Sequence, residues 1–254
     1  MNKAKFYAHL RKRGGPFGSS LSERQVQGIE AILDEGAGLP LPHLANVLAQ
    51  VHRETGAGMY PVKETVYSWS KDKNPSDATV IARLDRAFAK GQLTWVSKPY
   101  WRSGYFGRGQ IQITHIGNYL KMGGMVGTDL VANPSAALDL KTSARIAVRG
   151  MAAGSFTGRK MSDYNGTKYD HAGARAIVNG DGKKRDKGSS ATVGQIVAKN
   201  AAAFEDALTA AGYGKTPAPV IPKPTNPQTP KHTSAPSFWA AIFAAFKTLF
   251  RKGA

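Results

Sequence analysis

The chain of 254 residues contains no cysteine. That absence removes disulfide staples, Cys-ligated zinc or iron–sulfur sites and a thiol nucleophile from consideration. Acidic residues are scarce as well: 17 Asp plus Glu stand against 35 Lys plus Arg, a formal net charge of +18. No stretch of about 18 apolar residues occurs, the minimum for an ordinary transmembrane helix. The basic segment Met1 to Gly15 is not followed by an apolar run of signal-peptide length, so no conventional export signal is expected. What the chain does have is 41% hydrophobic and only 20% charged residues, enough to bury a core and too apolar for wholesale disorder. An excess of positive charge on this scale points to a polyanionic partner: nucleic acid, an anionic membrane surface or an acidic polymer such as a cell wall.

Proline divides the chain. Seven of the fourteen prolines fall between residues 215 and 236, among Thr, Lys and Asn and without an acidic residue, which reads as a semi-extended linker. The expected organisation is one globular domain over 1–214, a Pro-rich linker over 215–236 and a basic amphipathic helix over 237–254. Linker and tail carry Lys215, Lys223, Lys231, Lys247, Arg251 and Lys252, six of the eighteen net charges, which leaves +12 on the domain.

Within the domain the dominant period is helical. Ser20-Leu21-Ser22-Glu23 has capping-box spacing and opens a helix whose Val26, Ile29, Ile32 and Leu33 share a face. A second helix follows Pro40, buries Leu44, Val47, Leu48 and Val51, and stops near Thr55-Gly56, which sets His52 and Glu54 in its last turn. Ser76 caps a third, through Val80, Ile81, Leu84 and Phe88. Pro134 starts a fourth, running on to Val148, and Asp170 to Val178 and Thr192 to Ala211 supply two more. Only Tyr105 to Thr114 reads as extended chain, with Ile111 and Ile113 alternating against Gln110, Gln112 and Thr114. These elements predict a mostly helical domain with a very small sheet.

Few acids leave few candidates for acid–base chemistry. Glu54 ends an apolar helix and precedes a glycine-containing turn. Ten residues on, Glu64 lies in an aromatic loop that continues through Tyr67, Ser68 and Trp69. Two carboxyls presented from different elements are what glycoside hydrolysis requires, a protonated acid for the leaving oxygen and an ionised base for water. Spacing alone is equally compatible with two solvated surface glutamates. His52 and Glu54 do not form a zinc-protease helix motif, because Gly56 stands where a second His is needed. His52 is therefore read as a helix-end or supporting residue. The block Tyr105 to Tyr119 is the densest signal. Gly107 and Gly109 permit close backbone approach around Arg108, and amides and a hydroxyl on one face of a short strand suit sugar hydroxyls and N-acetyl groups. It lacks the Gly-Lys-Ser/Thr ending of a phosphate loop.

Four segments carry a resemblance: His52-Arg-Glu-Thr-Gly56; Tyr105-Phe-Gly-Arg-Gly-Gln-Ile-Gln-Ile-Thr-His115 with Asn118-Tyr119; Gly127-Thr-Asp-Leu-Val-Ala-Asn-Pro134; and Ile177-Val-Asn-Gly180. In that order they resemble the signature segments of glycoside hydrolase family 19, which contains chitinases and phage or prophage endolysins, and the resemblance runs from about residue 40 to 212. It implies a two-lobed, lysozyme-like, mainly α fold with a small β element and a catalytic cleft. It also implies inverting hydrolysis of β-1,4-linked N-acetyl sugars. Glu54 would then be the general acid and Glu64 the general base, with Thr114 helping to hold the attacking water. Gln112, Asn118 and Asn179 fall on sugar-contacting positions, and Tyr105 and Arg108 would shape the cleft, with Arg108 and Lys63 supplying positive potential. No cofactor or metal is implied. The chain departs from the family in the Arg53 inserted between His52 and Glu54, and in lacking the plant enzymes' cysteines and longer acid-to-base loop.

Chitin is neutral, whereas the murein wall and its envelope are anionic, so +12 on the domain favours peptidoglycan as substrate, with chitin as the alternative. Wound at 100° per residue, Ser237 to Lys252 places Trp239, Phe243, Phe246 and Phe250 on one side and Lys247, Arg251 and Lys252 on the other. About 16 residues, or roughly 24 Å, suit an interfacial helix on anionic membrane or lipopolysaccharide rather than a span. The expectation is thus a monomeric wall-degrading lysozyme or endolysin, made in the host cytoplasm and reaching the periplasm by holin-type or other release. A basic nucleic-acid-binding protein is the competing class, with Lys183-Lys184-Arg185 its one dense internal cluster, better read as a cleft-edge loop. No nucleic-acid partner is expected. A purely membrane-active protein would leave the 214-residue domain without a purpose.

Overall fold

A computed structural model describes residues 1–64, 72 and 74–214. The described residues lie within the first of two units, Met1–Pro219. The expected linker and amphipathic helix, including Trp239, Phe243, Phe246, Lys247, Phe250, Arg251 and Lys252, lie outside the described residues, as do Tyr67, Ser68 and Trp69.

The first unit is mainly helical, as expected. Its α-helices are α1 (Lys3–Leu10), α2 (Glu23–Glu35), α3 (Leu41–Glu54), α4 (Asp77–Ala89), α5 (Ile116–Val126), α6 (Leu140–Ala153) and α7 (Val193–Ala210). Two-residue strands β1 (Val62–Lys63) and β2 (Arg108–Gly109) pair antiparallel, Val62 opposite Gly109 and Lys63 opposite Arg108. Helix α3 is the centre of the packing. It lies against α7, while α1 covers α7 and α2 packs on α6. Leu44, Val47, Leu48 and Val51 are fully buried in the main core with Ile29, Ile32, Phe204 and Leu208. Two smaller clusters form beside it, one under α5 around Tyr119, Met122 and Leu130, the other under α4 around Leu84, Trp101 and Phe106.

Caps set the helix starts largely where local chemistry dictates. Ser76 accepts from the Thr79 N–H, and Thr192 forms a capping box with Gln195. For α2 the box lies two residues later than the spacing suggested: Ser22, with Gln25, is the cap. The helix expected from Pro134 is broken in two. A 3-10 segment, Pro134–Leu138, ends at an extended Asp139, whose carboxylate accepts from the Thr142 N–H and starts α6 afresh. The helix expected over 170–178 is the 3-10 segment Gly173–Ile177. Helices α1 and α5 were not expected.

Strand β2 falls within the segment read as extended, Tyr105 to Thr114, but that segment is not one continuous strand. The chain leaves β2, turns through Gln110 to Gln112, and returns so that Ile113 bridges to Arg108. Ile111 and Ile113 are buried, and so is Gln110, at 0% exposure. The polar residues therefore do not share a sugar-facing side; Gln112 sits at φ +53° at the end of the turn.

Candidate active site

One side of α3 is apolar; another carries His43, Asn46, Gln50 and Glu54, successive turns of one stripe. Each of these polar groups finds a partner from the segment 165–175. His43 Nε2 meets the Asn165 side-chain oxygen at 2.8 Å, and the Asn46 amide meets His171 Nδ1 at 3.2 Å. The Gln50 amide donates to the Ala174 carbonyl at 3.0 Å, and Gln50 Oε1 accepts from Arg175 Nη1 at 3.0 Å. The stripe ends at Glu54, whose Oε1 lies 2.6 Å from the same Arg175 nitrogen. Arg175 is 2% exposed, and Asp181 engages its other edge in bidentate fashion, Nε to Oδ1 at 2.7 Å and Nη2 to Oδ2 at 3.2 Å. Burial opposes the Arg175 charge, but Asp181 and Glu54 outweigh it and hold its pKa above the ordinary value. A fork-shaped guanidinium is the side chain able to serve three acceptors in one plane. Arg175 and Asp181 were absent from the sequence expectations.

The backbone then makes a locked turn. Thr55 Oγ1 donates to the Val51 carbonyl at 2.7 Å and accepts from the Met59 N–H at 2.8 Å. Ala57 and Met59 have positive φ, and so do Gln112 and His115; these four are the non-glycine cases among the described residues. Such conformations cost about 1 kcal/mol or more each and persist where the surroundings over-determine them. Both pairs flank the carboxyl-bearing elements. The Met59 carbonyl is pinned by the buried Gln110 amide at 2.6 Å and lies on Gly28 of α2, where an added Cβ would come within 2.1 Å of it.

Five residues after Met59 the chain reaches Glu64, which extends the β1–β2 pairing. Its N–H donates to the Gly107 carbonyl at 2.7 Å, and its Oε2 accepts from the Gly107 N–H at 2.8 Å. Tyr100, from the 3-10 segment Tyr100–Ser103, donates its hydroxyl to Glu64 Oε1. Burial first, and then the Glu64 charge, push the Tyr100 phenol well above its ordinary pKa, so it remains a donor. The His115 ring packs edge-on against Tyr100 with centroids 4.8 Å apart. Tyr100 was another residue the sequence reading did not single out.

The remaining expected residues divide by how far their polar atoms are already engaged. Thr114 is half-buried and donates to the Gln112 carbonyl at 3.0 Å. The Gln112 amide ties the carbonyls of Val62 and Gly109, both at 2.8 Å, and so braces β1 against β2. Tyr105 donates to the Val131 carbonyl at 3.1 Å. Asn118 is exposed with its amide on the Thr114 carbonyl, and Asn179 is exposed directly after the Arg175 segment. Arg108, expected to shape the cleft, is internal. It is 1% exposed, its guanidinium lies over the Phe106 ring at 3.8 Å, and it serves Gly104, Tyr119 and Asp77. It anchors β2 from beneath. Lys63 pairs with the same Asp77 at 2.8 Å. His52 is also internal: it takes the Asn200 amide at Nδ1 and meets the Pro16 carbonyl with Nε2.

Residues 41–151 match the family model described as chitinase class I, Glyco_hydro_19. Among solved structures, a bacterial family 19 chitinase aligns over 82% of this chain and 94% of its own at 18% identity, with a TM-score of 0.43. Chitinase C from Streptomyces griseus aligns over 83% of this chain and 76% of its own at 18% identity and a TM-score of 0.39. A mutant of a chitinase C aligns over 84% and 92% at 17% identity and a TM-score of 0.39.

Proposed function

We propose that this chain, whose residues 41–151 match the chitinase class I family model, is a wall-degrading enzyme of glycoside hydrolase family 19 that cleaves β-1,4 bonds between N-acetyl amino sugars of peptidoglycan, with inversion. The observation that carries this reading is that each of two carboxyls is held by its own set of donors from a different element. Glu64 accepts from a backbone N–H and a phenol, which fix the carboxyl in one orientation, as the role of general base toward water requires. Glu54 shares one guanidinium with Asp181. Because Asp181 takes the bidentate edge, it is the standing counter-ion of Arg175. Glu54, held by a single contact, is assigned as the general acid that delivers a proton to the leaving oxygen.

Peptidoglycan rather than chitin is favoured by the +12 carried by residues 1–214. The tail from 237 is assigned to anionic membrane or lipopolysaccharide, and the site of action to the periplasm after holin-type or other release. These assignments rest on composition and pattern. The deciding experiment follows turbidity loss of purified wall and the products by mass spectrometry and anomer-resolved NMR. Glu54→Gln should lose about 10²–10⁴-fold in rate while remaining folded. Near wild-type activity would remove Glu54 from the mechanism, and chitin cleavage without wall cleavage would make the protein a chitinase.

A further inference from the structure

A cavity of about 450 Å³ lies on the far side of the Arg175 segment, between the 3-10 segment Gly173–Ile177, the loop 180–183 and the start of α7. Its size falls within the roughly 300–1,000 Å³ of small-ligand sites. The walls are stripped of side chains: Gly173, Gly180, Gly182 and Gly194 line it, and the polar groups at its edge are Asp170, Lys183 and Thr192. It is tied to the acid cluster through the chain itself. Gly180 and Gly182 flank Asp181, and an added Cβ at Gly182 would touch the Arg175 stem at 3.4 Å.

The charges around it are unevenly used. Asp181 and Asp186, the two acids of the loop, are engaged by Arg175 and Arg53 at 2.7 Å each. Lys183, Lys184, Arg185 and Lys187 are exposed and have no acidic partner among the described residues. On the wall, Asp170 Oδ1 accepts from the Gly173 N–H at 2.8 Å. Its Oδ2 rests where a Cβ on Gly173 would stand, 2.1 Å away, and has no donor among the described residues. The cavity therefore offers one cation, Lys183, for a carboxylate, one carboxylate oxygen for an N–H, and glycine- and alanine-lined space. A neutral homopolymer of N-acetylglucosamine offers N–H and hydroxyl donors to Asp170 but no anion to Lys183; a glycan strand bearing acidic peptide branches offers both.

We infer that this cavity binds the acidic peptide branch of the glycan, Lys183 meeting its carboxylates and Asp170 its N–H groups. The inference rests on the peptidoglycan reading above and deepens it, by locating where the substrate's branch is distinguished from bare glycan. The test uses the full chain and two preparations of one peptidoglycan, intact and stripped of its peptides by an amidase, with the released peptides as a binding probe. Lys183→Glu changes an exposed side chain. Gly180→Leu places a side chain in open space, since nothing lies within 4 Å of its Cβ position and its φ is ordinary. Both should lower kcat/KM on intact strands about tenfold, leave kcat/KM on stripped strands unchanged, and weaken binding of the released peptides by a similar factor. Equal loss on both preparations, or no loss on either, overturns the inference while leaving the wall-degrading activity standing. A wild type that cleaves chitin oligosaccharides but neither preparation overturns the peptidoglycan reading, and this assignment with it.

Discussion

Replacing Arg175 by Met should separate what the acid cluster does for the fold from what it does for the reaction. The guanidinium is 2% exposed, and Glu54 and Asp181 are 15% and 22% exposed, so neither carboxylate is free to regain full hydration when the cation goes. Met fills much of the volume, which keeps the packing term small and isolates the electrostatic one. Removing one member of a buried ion pair costs about 3–5 kcal/mol, because the partner is left buried without compensation. Here two carboxylates and the Gln50 oxygen lose their donor together. For a folded unit of this size, 1 kcal/mol corresponds to roughly 2–4 °C, so the melting temperature should fall by about 6–20 °C. Glu54→Gln is the control: its amide oxygen still accepts from Nη1, Asp181 still holds the bidentate edge, and the loss should stay below about 1 kcal/mol. Circular dichroism melts of wild type, both single variants and the double variant close the cycle. The double variant should be more stable than Arg175→Met alone, since one orphaned charge is gone. A melting temperature for Arg175→Met within about 2 °C of wild type would refute the reasoning, as would a double variant less stable than Arg175→Met.

Tyr100→Phe removes only the hydroxyl that Glu64 accepts; steady-state kinetics on purified wall should show kcat reduced roughly tenfold with KM unchanged, and a changed KM alone would place Tyr100 in substrate binding. Gly28→Ala sets a methyl within 2.1 Å of the Met59 carbonyl, which Gln110 already pins; it should destabilise by about 1–3 kcal/mol or more, whereas Gly124→Ala, in open helix surface, should not, as thermal melts will show. Burial, reinforced by the Arg53 charge and only partly offset by the Pro16 carbonyl, holds the His52 pKa below its ordinary value. The unfolded chain therefore takes up a proton first as pH falls below about 6.5, and stability at pH 5 should be lower than at pH 7. Urea titrations at the two pH values check this, and His52→Gln should flatten the difference.

The long helices were legible because their signals are local: apolar residues at helical spacing and a Ser or Thr cap for α4 and α7. Helix α1 escaped because only Phe6 and Leu10 of its eight residues reach the core. Helix α5 escaped because Gly117, Gly123 and Gly124 read as breakers; at Gly123 the chain just past the helix end folds back, the Thr128 carbonyl lying 2.6 Å from where a Cβ would stand. The same distinction explains the turn at 110–112. Alternating Ile and Gln imitates a two-sided strand, yet both isoleucines are buried, and Gln110 is drawn inward by carbonyls of Gly28 and Met59, some eighty and fifty residues earlier. No local rule anticipates a buried amide whose partners come from two other elements.

The candidate site shows what an apolar-first reading of a helix passes over. On α3 the apolar residues were read as the informative face, and Glu54 then stood alone at the end of it. His43, Asn46, Gln50 and Glu54 recur at intervals of three, four and four, and in a helix otherwise so apolar a polar stripe must either face water or meet polar partners inside. Three of the four are buried or nearly so, which makes the second outcome the operative one and requires donors from elsewhere in the chain. Arg175, in a segment that reads only as a short helix, is the residue that answers this requirement at Gln50 and Glu54. The positive charge that first marked the chain thereby sorts into two populations. Arg108 and Arg175 are consumed inside, holding β2 and the acid cluster in place, while the lysines and arginine of 183–187 remain exposed and unpaired among the described residues. Exposed cations of the second kind can act on an anionic substrate, and these four stand on the loop that follows Asp181.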